Sequence, residues 1–75
     1  MNTSSMLKEL CKEKNISMAE LARRLGQTPQ NFAKKLKRET VSTEELMAIG
    51  DLLEVKFEQS YTLENGEKIS ISNKS

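Results

Sequence analysis

Histidine and tryptophan are missing from this chain, and its 75 residues include only one cysteine, one proline and three glycines. Histidine is the commonest general base in enzymes, so few catalytic arrangements remain, and no glycine-rich phosphate loop is present. A lone cysteine cannot form an internal disulfide, and no residues have the spacing of a metal site. These absences predict a protein that is not an enzyme and uses no metal, no cofactor and no small-molecule substrate.

Long apolar runs are also absent, which excludes a transmembrane helix. The N-terminus has no basic region followed by an apolar stretch, as a secretory signal would have. We therefore expect a cytoplasmic location and no membrane partner, and the single cysteine agrees with this expectation.

The net charge is only +1, but the charges are unevenly distributed. Residues 1–38 hold nine Lys or Arg against three Glu, a balance of +6, whereas residues 39–75 hold three Lys against eight Asp or Glu, a balance of −5. Charge runs are most often solvated helix faces. Here, however, the positive half contains the most informative motif of the chain, which favours one face directed at phosphates.

That motif is ISMAELARRLGQTPQNFAKKLKR, residues 16–38. Ser17 and Glu20 have the spacing of a capping box, in which each satisfies a backbone donor near the start of a helix. Gly26 is suited to end that helix because it readily adopts a positive φ. The pattern predicts a helix over 18–25 and a tight turn after it.

A further helix is predicted over 29–37. Thr28 is a suitable N-cap, and Pro29 fits the first helical position, where no amide donor is needed. Phe32 and Leu36 lie four residues apart and are expected to face inward together. The outward side is then polar and basic, with Gln30, Asn31, Lys34, Lys37 and Arg38.

Two more helices flank this pair. The apolar spacing predicts one over 5–14, after three frayed residues, and another that ends near residue 53. Ser42 and Glu45 form a second candidate capping box at the start of the latter. Gly50 lies within that helix, where glycine is unfavourable, which indicates a close contact with another helix.

After residue 54 the apolar residues fall on every second position, the period of a strand. The sequence Glu64-Asn65-Gly66 predicts a turn into a second strand at 67–71. A two-residue turn would place the two apolar rows on opposite faces. A three-residue loop with Gly66 left-handed pairs Tyr61 with Ile69 and places the rows on one face, so we prefer it.

An isolated hairpin is marginally stable in water, so this one must pack on its own helices or on a second copy. Its edge offers unpaired backbone groups to a partner strand. We favour a homodimer, which would use the apolar hairpin residues Phe57, Tyr61, Leu63, Ile69 and Ile71. The expected organisation is a helical unit over 1–54, a hairpin over 55–72 that belongs to the same compact domain, and a disordered tail over 73–75.

The segments LKELCKEKNIS, MAELARRLG, TPQNFAKKLKR and STEELMAIGDLLEV make residues 7–53 resemble the Cro/phage-repressor class of helix-turn-helix domains, the XRE family. The resemblance implies a mainly α fold, a four-helix repressor-like domain with a helix-turn-helix, to which this chain adds a C-terminal β-hairpin. It also implies a dimer that binds operator DNA and places its third helix in the major groove.

Individual roles follow from the resemblance. Gln30 and Asn31 occupy first-turn positions where the family reads bases, and either amide can bond bidentately to adenine. Lys34, one turn further, can reach a guanine edge or a phosphate. Phosphate contacts, which position the protein without specifying a sequence, are assigned to Ser17, Thr28, Lys35, Lys37, Arg38, Thr40 and Ser42.

Three positions depart from the family pattern. Met18 stands where a phosphate-contacting glutamine is usual, and Gln27 stands where a small apolar residue is usual. Lys35 falls where the family often has an apolar core residue. A third helix that is slightly rotated would explain the last departure, and it would leave open which role belongs to Lys34 and which to Lys35.

The sequence thus predicts a sequence-specific, double-stranded DNA-binding transcriptional regulator of bacterial or phage origin. The alternative is a protein-interaction module on a helix-turn-helix scaffold, such as an antitoxin-like or accessory protein, because a fold does not settle function. The basic outward face of the third helix discriminates between them. A protein partner would depend instead on the hairpin or on the acidic residues of the fourth helix.

Overall fold

The computed structural model describes residues 2–74, which form four helices followed by a two-stranded antiparallel hairpin. The predicted fold class is confirmed, and the helix ends differ from the expected ones by at most two residues. The elements are α1 (Thr3–Glu13), α2 (Met18–Arg24), α3 (Pro29–Arg38), α4 (Thr43–Leu52), β1 (Glu58–Thr62) and β2 (Lys68–Ser72). Met1 and Ser75, predicted to lie in a frayed start and a disordered tail, fall outside the described residues.

Polar side chains cap the start of every helix. The predicted box at Ser42 and Glu45 is present in both directions, and the side chain of Thr28 accepts a hydrogen bond at the start of α3. The box predicted at Ser17 forms in one direction only, because Ser17 accepts from the amide of Glu20 while the Glu20 carboxylate contacts Arg24 Nε at 3.2 Å. A basic residue one turn ahead therefore competes successfully with the backbone for this carboxylate.

The turn of the helix-turn-helix is a Schellman motif. Gly26 has φ +76°, its amide donates to the carbonyl of Arg23, and the amide of Gln27 donates to the carbonyl of Ala22. These two bonds satisfy carbonyls that the end of α2 would otherwise leave unpaired. The predicted left-handed glycine is confirmed, and α3 starts at Pro29, four positions after Leu25, the C-cap of α2.

The helices enclose one small apolar core, to which every helix contributes. Its buried members are Leu7, Cys11, Leu21, Ala22, Phe32, Ile49 and Leu53. Phe32 is 1% exposed and fixes α3 by its inner face, so the opposite face of α3 is left to solvent. Leu36 packs against the same core, as its four-residue spacing from Phe32 predicts.

The hairpin has the predicted register. Tyr61 pairs with Ile69 and Gln59 pairs with Ile71, and Gly66 has φ +91° in the loop. The alternating apolar pattern starts before β1, since Phe57 precedes this strand. The Phe57 amide donates to the side chain of Asn73 instead of to a backbone carbonyl of the opposite strand. The molecule measures 42 Å along its longest axis and 19 Å along its shortest.

Two expectations near the hairpin base are wrong. Gly50 is buried not against another helix but against Asn73, since a Cβ at Gly50 would lie 2.6 Å from Asn73 Nδ2 and 3.0 Å from the carbonyl of Val55. Asn73 is not part of a disordered tail, because its side chain bonds Phe57, Val55 and Asp51. A sequence pattern cannot reveal this contact, which joins residues far apart along the chain.

Candidate nucleic-acid interface

The first turn of α3 presents amide side chains to solvent. Thr28 Oγ1 accepts from the amide of Asn31 at 3.1 Å, which fixes the start of the helix. Gln30, Asn31 and Lys34 are all exposed, opposite the buried ring of Phe32. The structure thus brings the three predicted base-contacting residues onto one exposed face.

A polar groove of about 400 Å³ borders this face. It runs from the turn before α3 to the loop after it, and its walls carry hydroxyls, amides and cations. Its lining residues are Gly26, Gln27, Thr28, Asn31, Lys34, Lys35, Arg38 and Thr40. Such a lining suits an anionic backbone, because phosphate oxygens accept from hydroxyls and cations alike.

One carboxylate, that of Glu45, binds two of the residues that line this groove. Glu45, at the start of α4, accepts from Gln27 Nε2 at 3.0 Å and from Lys35 Nζ at 3.2 and 3.3 Å. The Ser42 amide lies 3.4 Å from the same carboxylate. The hydrogen bond from Gln27, followed by those from Lys35 and Ser42, lowers the pKa of Glu45 below its usual range, against the opposing effect of burial. The Glu45 carboxylate at the start of α4 therefore connects this helix to the turn before α3, through Gln27, and to α3 itself, through Lys35.

The residues assigned to phosphates differ in how available they are. Lys37 and Arg38 are exposed, and neither forms an ion pair within residues 2–74. Lys35 is partly buried and paired with Glu45. The hydroxyls of Ser17 and Ser42 each cap a helix, and the Thr40 hydroxyl contacts the Lys35 carbonyl at 3.4 Å. Within the described part of the chain, Lys34, Lys37 and Arg38 are the cations of α3 that form no ion pair with a carboxylate.

Sequence reasoning missed Glu45 and Gln27 as parts of this site. The sequence pattern indicates Glu45 as a cap of α4 or as part of an acidic surface for a protein partner, and it marks Gln27 only as a departure from the family pattern. Two of the three departures, Gln27 and Lys35, meet on Glu45. A polar residue and a cation at two positions that are usually apolar were the signal that a partly buried acceptor lies between them.

The apolar face of the hairpin is not covered by the helices. Tyr61 is 79% exposed, and Ile69, Ile71 and Leu63 are exposed as well. Phe57 is partly buried and lies outside β1. Four of the five predicted dimerisation residues therefore share an open surface, and the fifth lies at its base.

Among residues 2–74 no three metal-ligating side chains cluster, and no helix is long and apolar enough to cross a membrane. Burial raises the pKa of the Cys11 thiol, whose Sγ lies 3.4 Å from Met18 Sδ. A buried thiol with a raised pKa is a core residue, as the sequence pattern suggests.

Comparison with known proteins adds one match. The sequence model of the Cro/C1-type HTH DNA-binding domain matches residues 6–65, a range that includes α1 from residue 6 onward, all of α2, α3 and α4, and β1. Neither a search of curated proteins nor one of solved structures finds a match to the chain.

Proposed function

We infer that this chain, which belongs to the family of Cro/C1-type HTH DNA-binding domains, is a sequence-specific transcriptional regulator of bacterial or phage origin. DNA binding is the general property of its family, and no enzymatic site is expected. The observation that carries the more specific proposal is the exposed first turn of α3, where Gln30 and Asn31 face solvent and Asn31 lines the polar groove. A capped helix that projects amides from its first turn is how this motif reads the major groove.

The chemistry of each side chain decides whether we assign it to a base contact or to a phosphate contact. Gln30 and Asn31 each offer a donor and an acceptor at a fixed separation, which matches the N6 and N7 atoms of adenine. Lys34 lies one turn further and reaches either a guanine edge or a phosphate. Thr28, Lys37, Arg38 and Thr40 hold the phosphate backbone and set the position of α3 without reading sequence.

The proposed active form is a homodimer in the cytoplasm. The helical unit over 1–54 would hold the DNA, and the hairpin over 55–72 would join two copies through its open apolar face. A two-fold dimer of this motif binds half-sites about one helical turn apart, so its operator is expected to be palindromic. Bound at a promoter, such a dimer would regulate transcription either by occlusion or by recruitment.

The test is selection of a preferred duplex from random DNA, followed by affinity measurements on that duplex and on an unrelated one. We expect the Gln30→Ala/Asn31→Ala double variant to lose the difference between the two duplexes, since each bidentate contact contributes about 1–3 kcal/mol of discrimination. The Glu9→Ala/Lys12→Ala variant is a matched control, because both residues are exposed on α1 and the net charge is unchanged.

The outcomes separate the candidate functions. Loss of preference in the first variant alone supports base reading by α3. Equal, salt-sensitive affinity of the wild type for every duplex would leave only sequence-independent binding. A folded wild type that binds no duplex would contradict the proposal and favour a protein-interaction module.

A further inference from the structure

The Lys35 ammonium is the one cation on α3 that the structure pairs with a carboxylate among residues 2–74. Its side chain lines the same polar groove as Lys34, Arg38 and Thr40. A lysine side chain is long and flexible, so Lys35 can reach a phosphate bound in the groove if its ion pair with Glu45 is broken. Whether it does so depends on the group that holds it.

Glu45 holds Lys35 by both of its oxygens. Lys35 Nζ lies 3.3 Å from Oε1 and 3.2 Å from Oε2, and Gln27 Nε2 donates to Oε2 at 3.0 Å. The side chain of Glu45 is 21% exposed, against 38% for Lys35. A carboxylate that is mostly shielded and receives several donors keeps its charge and its partners. The same negative charge lies near the groove and opposes the approach of phosphates there.

We propose that Glu45 is a specificity-determining residue, which withholds the Lys35 cation from DNA phosphates and so limits sequence-independent affinity. This inference rests on the proposed function. Each phosphate neutralised by a lysine contributes affinity for every sequence equally. A paired Lys35 therefore leaves discrimination to Gln30 and Asn31, and Lys35 acts by positioning α3 against α4.

The experiment compares Glu45→Gln with Glu44→Gln. Both remove one negative charge from the first turn of α4, but Glu44 is exposed and forms no ion pair with Lys35 among residues 2–74. Gln also preserves the shape of Glu and its ability to complete the capping box. For unrelated duplex DNA, we expect the plot of log affinity against log salt to steepen by about 0.9 in Glu45→Gln, the value of one new phosphate contact. Glu44→Gln is expected to keep the wild-type slope.

A third and a fourth variant test the role of Lys35 directly. Lys35→Met in the wild-type background should leave the salt slope unchanged, because the lysine is withheld. In the Glu45→Gln background it should restore the wild-type slope. If Lys35→Met alone lowers the slope by about 0.9, Lys35 already contacts phosphate and the proposal is overturned. An unchanged slope in Glu45→Gln overturns it equally, and the single Lys35 variant decides the matter if Glu45→Gln does not fold.

Retention on immobilised heparin gives a readout that does not require operator recognition. We expect Glu45→Gln to elute at higher salt than both the wild type and Glu44→Gln, because the released cation binds any polyanion. A wild type that binds no DNA would contradict the proposed function, whereas the heparin comparison would still test the release of Lys35. Identical elution of the two Gln variants would overturn the inference.

Discussion

Asn73 joins the hairpin to the helices through both atoms of its amide. Its Oδ1 accepts from the amide of Phe57 at 2.7 Å, and its Nδ2 donates to the carbonyl of Val55 at 3.0 Å and to Asp51 at 2.8 Å. The missing Cβ of Gly50 leaves the space that this amide occupies. Gly50 inside α4 and Asn73 after β2 therefore form one close contact, which requires a glycine at position 50.

Replacing Asn73 by Ala should lower the free energy of unfolding by about 1–3 kcal/mol, because the partly buried backbone groups of Phe57 and Val55 lose their hydrogen bonds. Urea denaturation followed by circular dichroism measures the change. Lys74→Ala is the control, since Lys74 is the exposed neighbour and should behave as the wild type does. Equal stability of both variants would mean that water replaces the amide at no cost.

At the scale of elements, α3 and α4 are held together by the charged contact between Lys35 and Glu45 as well as by the core. The pKa of Glu45 is lowered from its ordinary value of 4.5, with the hydrogen bond from Gln27 as the largest cause. A carboxyl whose pKa is lower in the folded than in the unfolded chain stabilises the fold when it is ionised. This contribution is present above pH 4.5 and is lost as the pH falls through the lower, folded-state pKa.

We therefore expect the difference in unfolding free energy between the wild type and Glu45→Gln to shrink on acidification from about pH 7 to about pH 3. Urea titrations at several pH values measure it. Glu44→Gln, which leaves the contact intact, should keep the pH dependence of the wild type. A difference that does not change with pH would show that the Glu45 contact contributes no charge-dependent stability.

Features that depend on residues close together in the sequence could be predicted, whereas contacts between residues far apart along the chain could not. The caps at Thr28 and Ser42, the left-handed Gly26 and the hairpin register all follow from residues within a few positions of one another, and each is confirmed. The partner of Gly50 could not be predicted, because Asn73 lies 23 positions away. Helical spacing predicted that the three α3 side chains proposed to read bases face solvent, and the family resemblance implied their role, whereas the pairing of Lys35 depends on how α3 packs against α4.

At the scale of the whole molecule, basic residues are concentrated in the first half of the chain and acidic residues in the second half, and exposed apolar residues lie on one face of the hairpin. The basic half, with a balance of +6, contains α3 and the turn before it, and the acidic half, with a balance of −5, contains α4 and the hairpin. Phosphates are therefore attracted to the end of the molecule that carries α3. The hairpin leaves Tyr61 and Ile69 exposed on one face and places Ser60 and Ser70 on the other, as strand alternation requires.

The open face of the hairpin predicts that the wild type associates and that its association depends on Tyr61 and Ile69. These paired residues are 79% and 60% exposed, so their replacement costs the isolated chain little, whereas a dimer would bury them. Full burial of an Ile-sized side chain contributes about 1.5–3 kcal/mol. We expect Tyr61→Ser/Ile69→Ser to raise the dimer dissociation constant at least about a hundredfold, which corresponds to about 2.8 kcal/mol.

Sedimentation equilibrium over a range of concentrations measures this constant, with the monomer at 8.5 kDa as reference. Ser60→Ala/Ser70→Ala changes the paired positions on the polar face and should dissociate as the wild type does, because those side chains point away from the proposed interface. If the apolar pair can be replaced without any change in mass, the hairpin is not the dimer contact. The two-fold arrangement of half-sites would then need another surface, because two reading helices can bind one operator together only when a contact between the copies fixes their separation.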